Sequence, residues 1–244
     1  MRVGSTGVLL TALGYAAIGV FVLGMLWQMG KWSMAGLPFR VTVFPVRSNW
    51  AAAGHILWEA LSFRSLWRGV REHWAAAWFF HFLLALVLLG HVAGIGLLGR
   101  EFVVFRLAPA QSLALSHLLG SVLGVLLLLA VVYLLVRRAG QKAIRLISSA
   151  EDYLMLILLL AIVGTGNGLR FLSTVELAAV RDFVAGLVLF HPVAPPASPW
   201  FVAHFTLVAL LLLYFPFSKL VHTCGFFFTR WTITRHYPRQ VIWR

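Results

Sequence analysis

The sequence predicts an all-α membrane protein, built as a bundle of five transmembrane helices. Hydrophobic residues make up 61% of the 244 residues and charged residues only 11%, and the mean hydropathy of +0.91 exceeds that of soluble domains of this length. The apolar residues also gather into five blocks, each long enough to cross a hydrocarbon core of about 30 Å. Because these blocks lack the alternation of membrane β-strands, helices are expected. We expect residues 1–244 to form a single membrane-embedded domain.

The predicted spans cover about 6–27, 74–98, 112–136, 153–171 and 200–221. The first block exceeds an ordinary secretory signal core, and no good small-residue cleavage site follows it, so we expect it to be retained as a span. Pro216 is expected to break the end of the fifth span, because proline cannot donate the backbone hydrogen bond of a helix interior.

The lysine and arginine residues predict the orientation of the bundle. Fifteen of the 20 lie in the connection after the first span, the connection after the third span, and the tail. The positive-inside rule therefore places the N-terminus outside and the C-terminus in the cytoplasm, in an inner (cytoplasmic) membrane. Basic residues between apolar blocks act as topology signals, so the formal charge of +13 does not favour a nucleic-acid partner.

The long first connection contains an apolar stripe at helical spacing. Its members are Ile56, Ala60, Phe63, Trp67 and Val70. The acidic residue Glu59 falls outside the stripe. The pattern predicts an interfacial amphipathic helix on the cytoplasmic face, which would serve either as an anchor in the lipid surface or as a docking surface for a partner.

Four histidines lie in the second and fifth spans, namely His81, His91, His204 and His222. At about 100° per residue, the first two lie about 80° apart around their helix and the last two share one face. The second span runs outward and the fifth runs inward, so His81 is level with His222 near the cytoplasm, and His91 is level with His204 near the outside. Two facing imidazoles at one depth are the ligand set of a six-coordinate haem, and two such pairs predict two haems of b type.

The two histidines of the second span are separated by a helical rise of about 15 Å, because they are ten residues apart. The two histidines of the fifth span are eighteen residues apart, which gives a rise of about 27 Å. Tilt of the fifth span and the break at Pro216 are expected to shorten its projection. No CxxCH motif occurs, so the haems would be held without covalent bonds. Two other classes of function stay open: a transporter with a histidine proton relay, and an assembly scaffold without haem.

Several segments resemble a known family. "WFFHFLLALVLLGH" (78–91) and "HFTLVALLLLYFPFSKLVH" (204–222) resemble the second and fifth helices of the respiratory nitrate reductase gamma-subunit family, five-helix di-haem cytochromes b that oxidise quinol. "RSLWRG" (64–69), "GTGNGLRF" (164–171) and "FHPVAPP" (190–196) are more similar to its DsrM branch, the membrane subunit of the complex linked to dissimilatory sulfite reductase. The resemblance implies that His81 and His222 bind the iron of the cytoplasmic haem and that His91 and His204 bind that of the external haem.

The resemblance also implies a route for electrons. Quinol would be oxidised near the external haem, with its protons released outside and its electrons passed to a cytoplasmic, DsrK-like iron-sulfur subunit. The reverse direction, in which quinone is reduced, fits the same residues. The nitrate reductase members have a lysine near the start of the third helix, close to the quinol site, whereas "APAQSLALSH" (108–117) has none. The single cysteine, Cys224, excludes a cysteine-ligated cluster within this chain, so the cluster would belong to the partner.

Five residues at the outer ends of the predicted spans are candidates for the quinone site. They are Arg100, Arg106, Arg170, His117 and His191. An arginine could bind a quinone oxygen or a haem propionate, and a histidine with a pKa near neutrality could accept a quinol proton. Each also fits an ordinary side chain at the membrane interface.

Overall fold

The computed structural model describes residues 4–35, 46, 48–69, 71–97 and 107–234. All regular elements within these ranges are helical. The ten α-helices are α1 (Ser5–Met34), α2 (Asn49–Ser62), α3 (Arg64–Gly69), α4 (Arg71–His91), α5 (Pro109–Gly140), α6 (Lys142–Leu146), α7 (Ala150–Phe171), α8 (Leu177–Val188), α9 (Pro199–Tyr214) and α10 (His222–Ile233). A π-helical turn, Val92–Leu97, follows α4, and two short 3-10 turns, Phe215–Phe217 and Lys219–Val221, lie between α9 and α10.

Five helical segments are long and apolar enough to cross a membrane. They are Ser5–Met34, Arg71–Gly94, Ala110–Gly140, Ala150–Phe171 and Pro199–Phe217. The predicted class, an all-α multi-pass membrane protein with five spans, is confirmed. The orientation across the membrane stays a prediction.

The fifth span ends earlier than predicted. Pro216 lies in the first 3-10 turn, and its carbonyl accepts a hydrogen bond of 2.6 Å from Gln28 Nε2 on α1. Ser218 continues the break, because its hydroxyl donates to Phe215 O at 2.9 Å. His222 is therefore the first residue of a separate helix, α10, and not part of a bent last turn of the fifth span.

The amphipathic segment is helical, but it is two helices rather than one. Phe63 adopts the left-handed conformation, with φ of 50°, and this ends α2 before α3 begins. Glu59 falls outside the predicted apolar stripe, yet it is buried, with only 7% of its surface exposed. Its Oε1 lies 3.6 Å from Arg230 Nη2 and accepts a hydrogen bond of 2.9 Å from Ser65 N, so its charge is compensated where it is buried. Val70 lies outside the described residues.

The contacts divide the chain into two compact units. The first comprises Met1–Gly19 and Phe79–Leu213, and the second comprises Val20–Trp78 and Tyr214–Arg244. Two apolar clusters stabilise the first unit. One is formed by Leu10, Phe183, Leu187 and Phe201, and the other by Phe80, Leu83, Leu127 and Val131. In the second unit, α10 packs on α1 through Trp32 and Phe228, whose ring centroids are 5.5 Å apart.

Candidate functional site

The rings of His91 and His204 face each other within the first unit. Their centroids are 6.3 Å apart and their planes are inclined by 20°. His91 is the last residue of α4, and His204 lies in the first half of α9. Each ring is held by hydrogen bonds to a different part of the structure.

His204 is held against the facing helix α7. Its Nδ1 lies 3.0 Å from Ile162 O and 3.2 Å from Thr165 Oγ1. A carbonyl can only accept, so Nδ1 carries the proton and Nε2 is the nitrogen with a lone pair for a metal. Gly166 lets the ring approach the α7 backbone, because a Cβ at this position would lie 3.2 Å from His204 Cε1.

His91 is held by its own helix. Its Nδ1 donates a hydrogen bond of 2.8 Å to Val87 O, one turn earlier. The π-helical turn Val92–Leu97 begins at the next residue, and within it the Gly94 carbonyl accepts a hydrogen bond of 2.7 Å from Arg181 Nε on α8. The His91 ring is exposed, whereas the His204 ring is partly buried.

His91 and His204 are the residues that would hold one haem iron between α4 and α9. The centroid separation of 6.3 Å is of the size that two imidazoles binding one haem iron would need. Both rings donate from Nδ1 to a carbonyl, as metal-bound histidines commonly do. The described residues contain no cluster of three or more His, Cys, Asp or Glu suited to a metal ion, but a porphyrin supplies the four remaining ligands of a haem iron itself.

The other two histidines belong to different units. His81 lies on α4 in the first unit, where its ring packs edge to face on Phe80 with centroids 5.1 Å apart. His222 lies in the second unit, and its Nδ1 is 2.8 Å from Lys219 O. This carbonyl contact again leaves Nε2 as the nitrogen with a lone pair. The pairing of His81 with His222 stays a prediction.

Arg170 and His117 come together between α5 and α7. Arg170 Nη1 lies 3.3 Å from His117 Nδ1. The guanidinium lies directly against Gly120 of α5, where a Cβ would overlap with it. A glycine at this position therefore makes room for the cation between the two helices.

One turn earlier on α7, Asn167 is a third polar side chain between α5 and α7. Arg170, His117 and Asn167 together form a polar seam between these two helices. Its Nδ2 donates to Gly124 O at 3.0 Å and to Val163 O at 2.9 Å. Its Oδ1 is buried and has no hydrogen-bond partner within the described part of the chain.

His191, a further quinone-site candidate, lies away from Arg170 and His117 in the chain. His191 is exposed in the segment after α8, where its Nδ1 lies 2.7 Å from Leu189 O. Arg100 and Arg106 lie outside the described residues.

Three features of the site are missing from the sequence prediction. Helix α8 is absent from the sequence-based expectations, although the segment 177–188 has apolar residues at helical spacing: Val180, Phe183, Val184 and Leu187. The role of Thr165 and Gly166 beside His204 was also missed. Their signal is the run of small and polar residues "GTGNG" inside an apolar span, which marks a place where another group approaches the backbone.

Comparison with known proteins places the chain in a family. Residues 42–241 match the model of the nitrate reductase gamma subunit family. The Hdr-like menaquinol oxidoreductase cytochrome b-like subunit of Archaeoglobus fulgidus is 30% identical, over 93% of this chain and 78% of the relative. The subunit of the same description from Archaeoglobus profundus is 26% identical, over 94% and 78%.

A third relative comes from a bacterium. The nitrate reductase gamma chain of Bacillus subtilis is 31% identical, over 61% of this chain and 70% of the relative. The match of the family model extends over most of the sequence, from the first connection to the tail. The chain belongs to the nitrate reductase gamma-subunit family.

Proposed function

We propose that this chain is a di-haem b membrane subunit that passes electrons between the membrane quinone pool and a cytoplasmic iron-sulfur subunit. The observation that carries the proposal is the His91–His204 pair, with ring centroids 6.3 Å apart and both Nδ1 atoms donating to carbonyls. His91 and His204 would hold the external haem, and His81 and His222 the cytoplasmic one. Haem bound there supplies one-electron redox chemistry.

The protein's own residues hold these ligands in the form that binds iron. The Ile162 carbonyl fixes the Nδ1–H tautomer of His204, and the Val87 carbonyl does the same for His91. Gly166 lets the His204 ring lie against α7, which keeps it at a fixed distance from that helix. The surrounding apolar spans exclude water and supply a low dielectric.

Arg170 and His117 are the residues proposed to bind quinol. Oxidation of quinol to quinone releases two protons and two electrons, so the site needs a proton acceptor. His117 Nδ1 accepts from the guanidinium of Arg170, so one quinol proton would go to this nitrogen as the guanidinium moves from it to the quinol oxygen. The pair is exposed, so water would take the second proton. Arg170 would donate to the quinol oxygen.

Menaquinol is the proposed quinol, because the two Archaeoglobus relatives are described as subunits of a menaquinol oxidoreductase. The DsrM-like segments support a link to dissimilatory sulfur metabolism and a DsrK-like partner. Only one cysteine occurs in the chain, so an iron-sulfur cluster has to come from that partner. The basic residues of the predicted cytoplasmic side would offer it a docking surface.

A second candidate is the gamma subunit of a nitrate reductase. The Bacillus subtilis relative favours it, at 31% identity over 61% of this chain. The two candidates share the haem and quinol chemistry and differ in the partner. Mass spectrometry of the complex purified from membranes of the native host through a tag on this chain identifies that partner and separates them.

The test of the proposed function is a reduced-minus-oxidised visible spectrum of the purified full chain, combined with a haem assay. We expect a b-type signal, about two haems per chain, and reduction of that signal by a menaquinol analogue. His55→Ala, a change on α2 in the second unit, is the matched control and should leave the haem content unchanged. A chain prepared in haem-replete membranes that carries no haem contradicts the proposal.

A further inference from the structure

We propose that α8 forms a brace, a set of contacts that fixes the end of α4 relative to α9, the two helices that carry His91 and His204. Within it, Arg181 is the positioning residue that keeps the His91 ring in place. The part that concerns haem rests on the proposed function. The brace itself is a property of the first unit, in which α8, His91 and His204 all lie. The two sides of α8 make different contacts.

One side of α8 is anchored to α9 beside His204. Phe183 is fully buried, and its ring meets Phe201 and Phe205 edge to face at centroid distances of 5.6 and 5.3 Å. Phe205 is the residue next to His204 in the chain. Leu187, one turn further along α8, is also buried in this cluster. This packing fixes α8 relative to the helix that carries His204.

The other side of α8 reaches the end of α4. Arg181 Nε donates a hydrogen bond of 2.7 Å to Gly94 O, three residues after His91. Gly94 lies in the π-helical turn, where the backbone N–H groups reach carbonyls five residues back instead of four. A charged donor makes one of the stronger classes of hydrogen bond, and it supports a turn that is wider than the regular helix.

The π-helical turn matters for His91 because it begins at the very next residue. The His91 ring is exposed and its Nδ1 donates a hydrogen bond to Val87 O in its own helix, so the ring follows the backbone at this end of α4. Releasing Gly94 O would let the turn relax toward a regular helix. The His91 ring would then move relative to His204, which α9 and α7 hold in place.

The experiment compares Arg181→Gln with Arg181→Lys and with a matched control, Arg145→Gln. Arg145 also donates to a backbone carbonyl, Ala139 O at 3.4 Å, but lies in the short helix α6, away from the ligand pair in the chain. Hydrogen–deuterium exchange is measured on peptides that cover residues 88–97 of the full chain in lipid nanodiscs. We expect exchange about tenfold faster in Arg181→Gln, partial rescue in Arg181→Lys, and no change in the control.

The second readout is the electron paramagnetic resonance spectrum of the oxidised haems. A change in the relative orientation of the His91 and His204 rings should shift the largest g value of one haem in Arg181→Gln while leaving the haem content unchanged. Unchanged exchange would overturn the brace. Faster exchange with an unchanged spectrum would overturn the positioning of His91. If the wild-type chain binds no haem, the proposed function fails, and the exchange data still decide whether Arg181 holds the turn.

Discussion

His204 and His91 differ in what supports their rings. His204 is partly buried and bonds across to α7, where Ile162 O, Thr165 Oγ1 and Gly166 surround it. His91 is exposed and bonds within its own helix, and the turn that follows it is held from outside by Arg181. The difference teaches that the His204 ring is held by the packing of two spans, whereas the turn after the His91 ring is bonded by a short helix outside the candidate spans. Mutations around the His204 ring should therefore have different effects from mutations around the His91 ring.

The largest expected effect is on the His204 side. Replacing Gly166 with leucine places a bulky side chain where even a Cβ would lie 3.2 Å from the ring, so His204 is pushed away from α7. We expect Gly166→Leu to lose the external haem, which lowers the haem content from about two to about one per chain. Gly164→Leu is the matched control, because a Cβ there meets no atom within 4 Å among the described residues. Equal haem loss in both variants would show that the close approach to His204 is not the cause.

Phe183→Ala removes the ring through which α8 packs on α9. Phe183 is fully buried, so its truncation is expected to cost about 3–5 kcal/mol in the free energy of unfolding and to lower the melting temperature. Phe217→Ala, at a position that is 68% exposed, should have little effect. Thermal unfolding in detergent measures both. Similar melting temperatures for the two variants would argue against a packed role for α8.

Arg170→Gln should leave both ligand sides intact and weaken quinol binding. We expect KM for a menaquinol analogue to rise about tenfold, equivalent to about 1.4 kcal/mol, with unchanged haem content. Steady-state kinetics and a haem assay measure the two quantities. Arg145→Gln, on α6, is the control and should leave KM unchanged. An unchanged KM in Arg170→Gln would show that the polar seam between α5 and α7 is not the quinol site.

Thr165→Val should have the smallest effect. It removes the 3.2 Å contact to His204 Nδ1 but leaves the Ile162 carbonyl bond that sets the tautomer. The external haem should remain, with its midpoint potential shifted by less than about 60 mV. A redox titration checks this. Loss of the haem would mean that the hydroxyl, and not the carbonyl, is the main support of the ring.

The span count could be predicted from the sequence because it depends on local properties. A block of about twenty apolar residues crosses a membrane wherever it occurs in a chain. The equal depth of His91 and His204 followed from the directions of their two spans. The break near Pro216 could also be predicted, because the missing N–H of proline is a property of one residue.

The parts that could not be predicted depend on residues far apart in the chain. The burial of Glu59 is one of them, since nothing local reveals that Arg230 compensates its charge. The bond from His204 to Ile162 depends on how α7 is rotated, and the hydrophobic pattern of a span does not fix that rotation. The bond from Arg181 to Gly94 depends on a π-helical turn for which the sequence has no clear signal.

The central claim is that His91 and His204 hold the same haem. The direct test is the haem content of His91→Ala, His204→Ala and the double variant, measured on the full chain in matched preparations. The account predicts that each single variant keeps about one haem per chain and that the double variant also keeps about one. A double variant without haem, beside single variants that each keep one, would show that the two histidines bind different haems and would contradict the account.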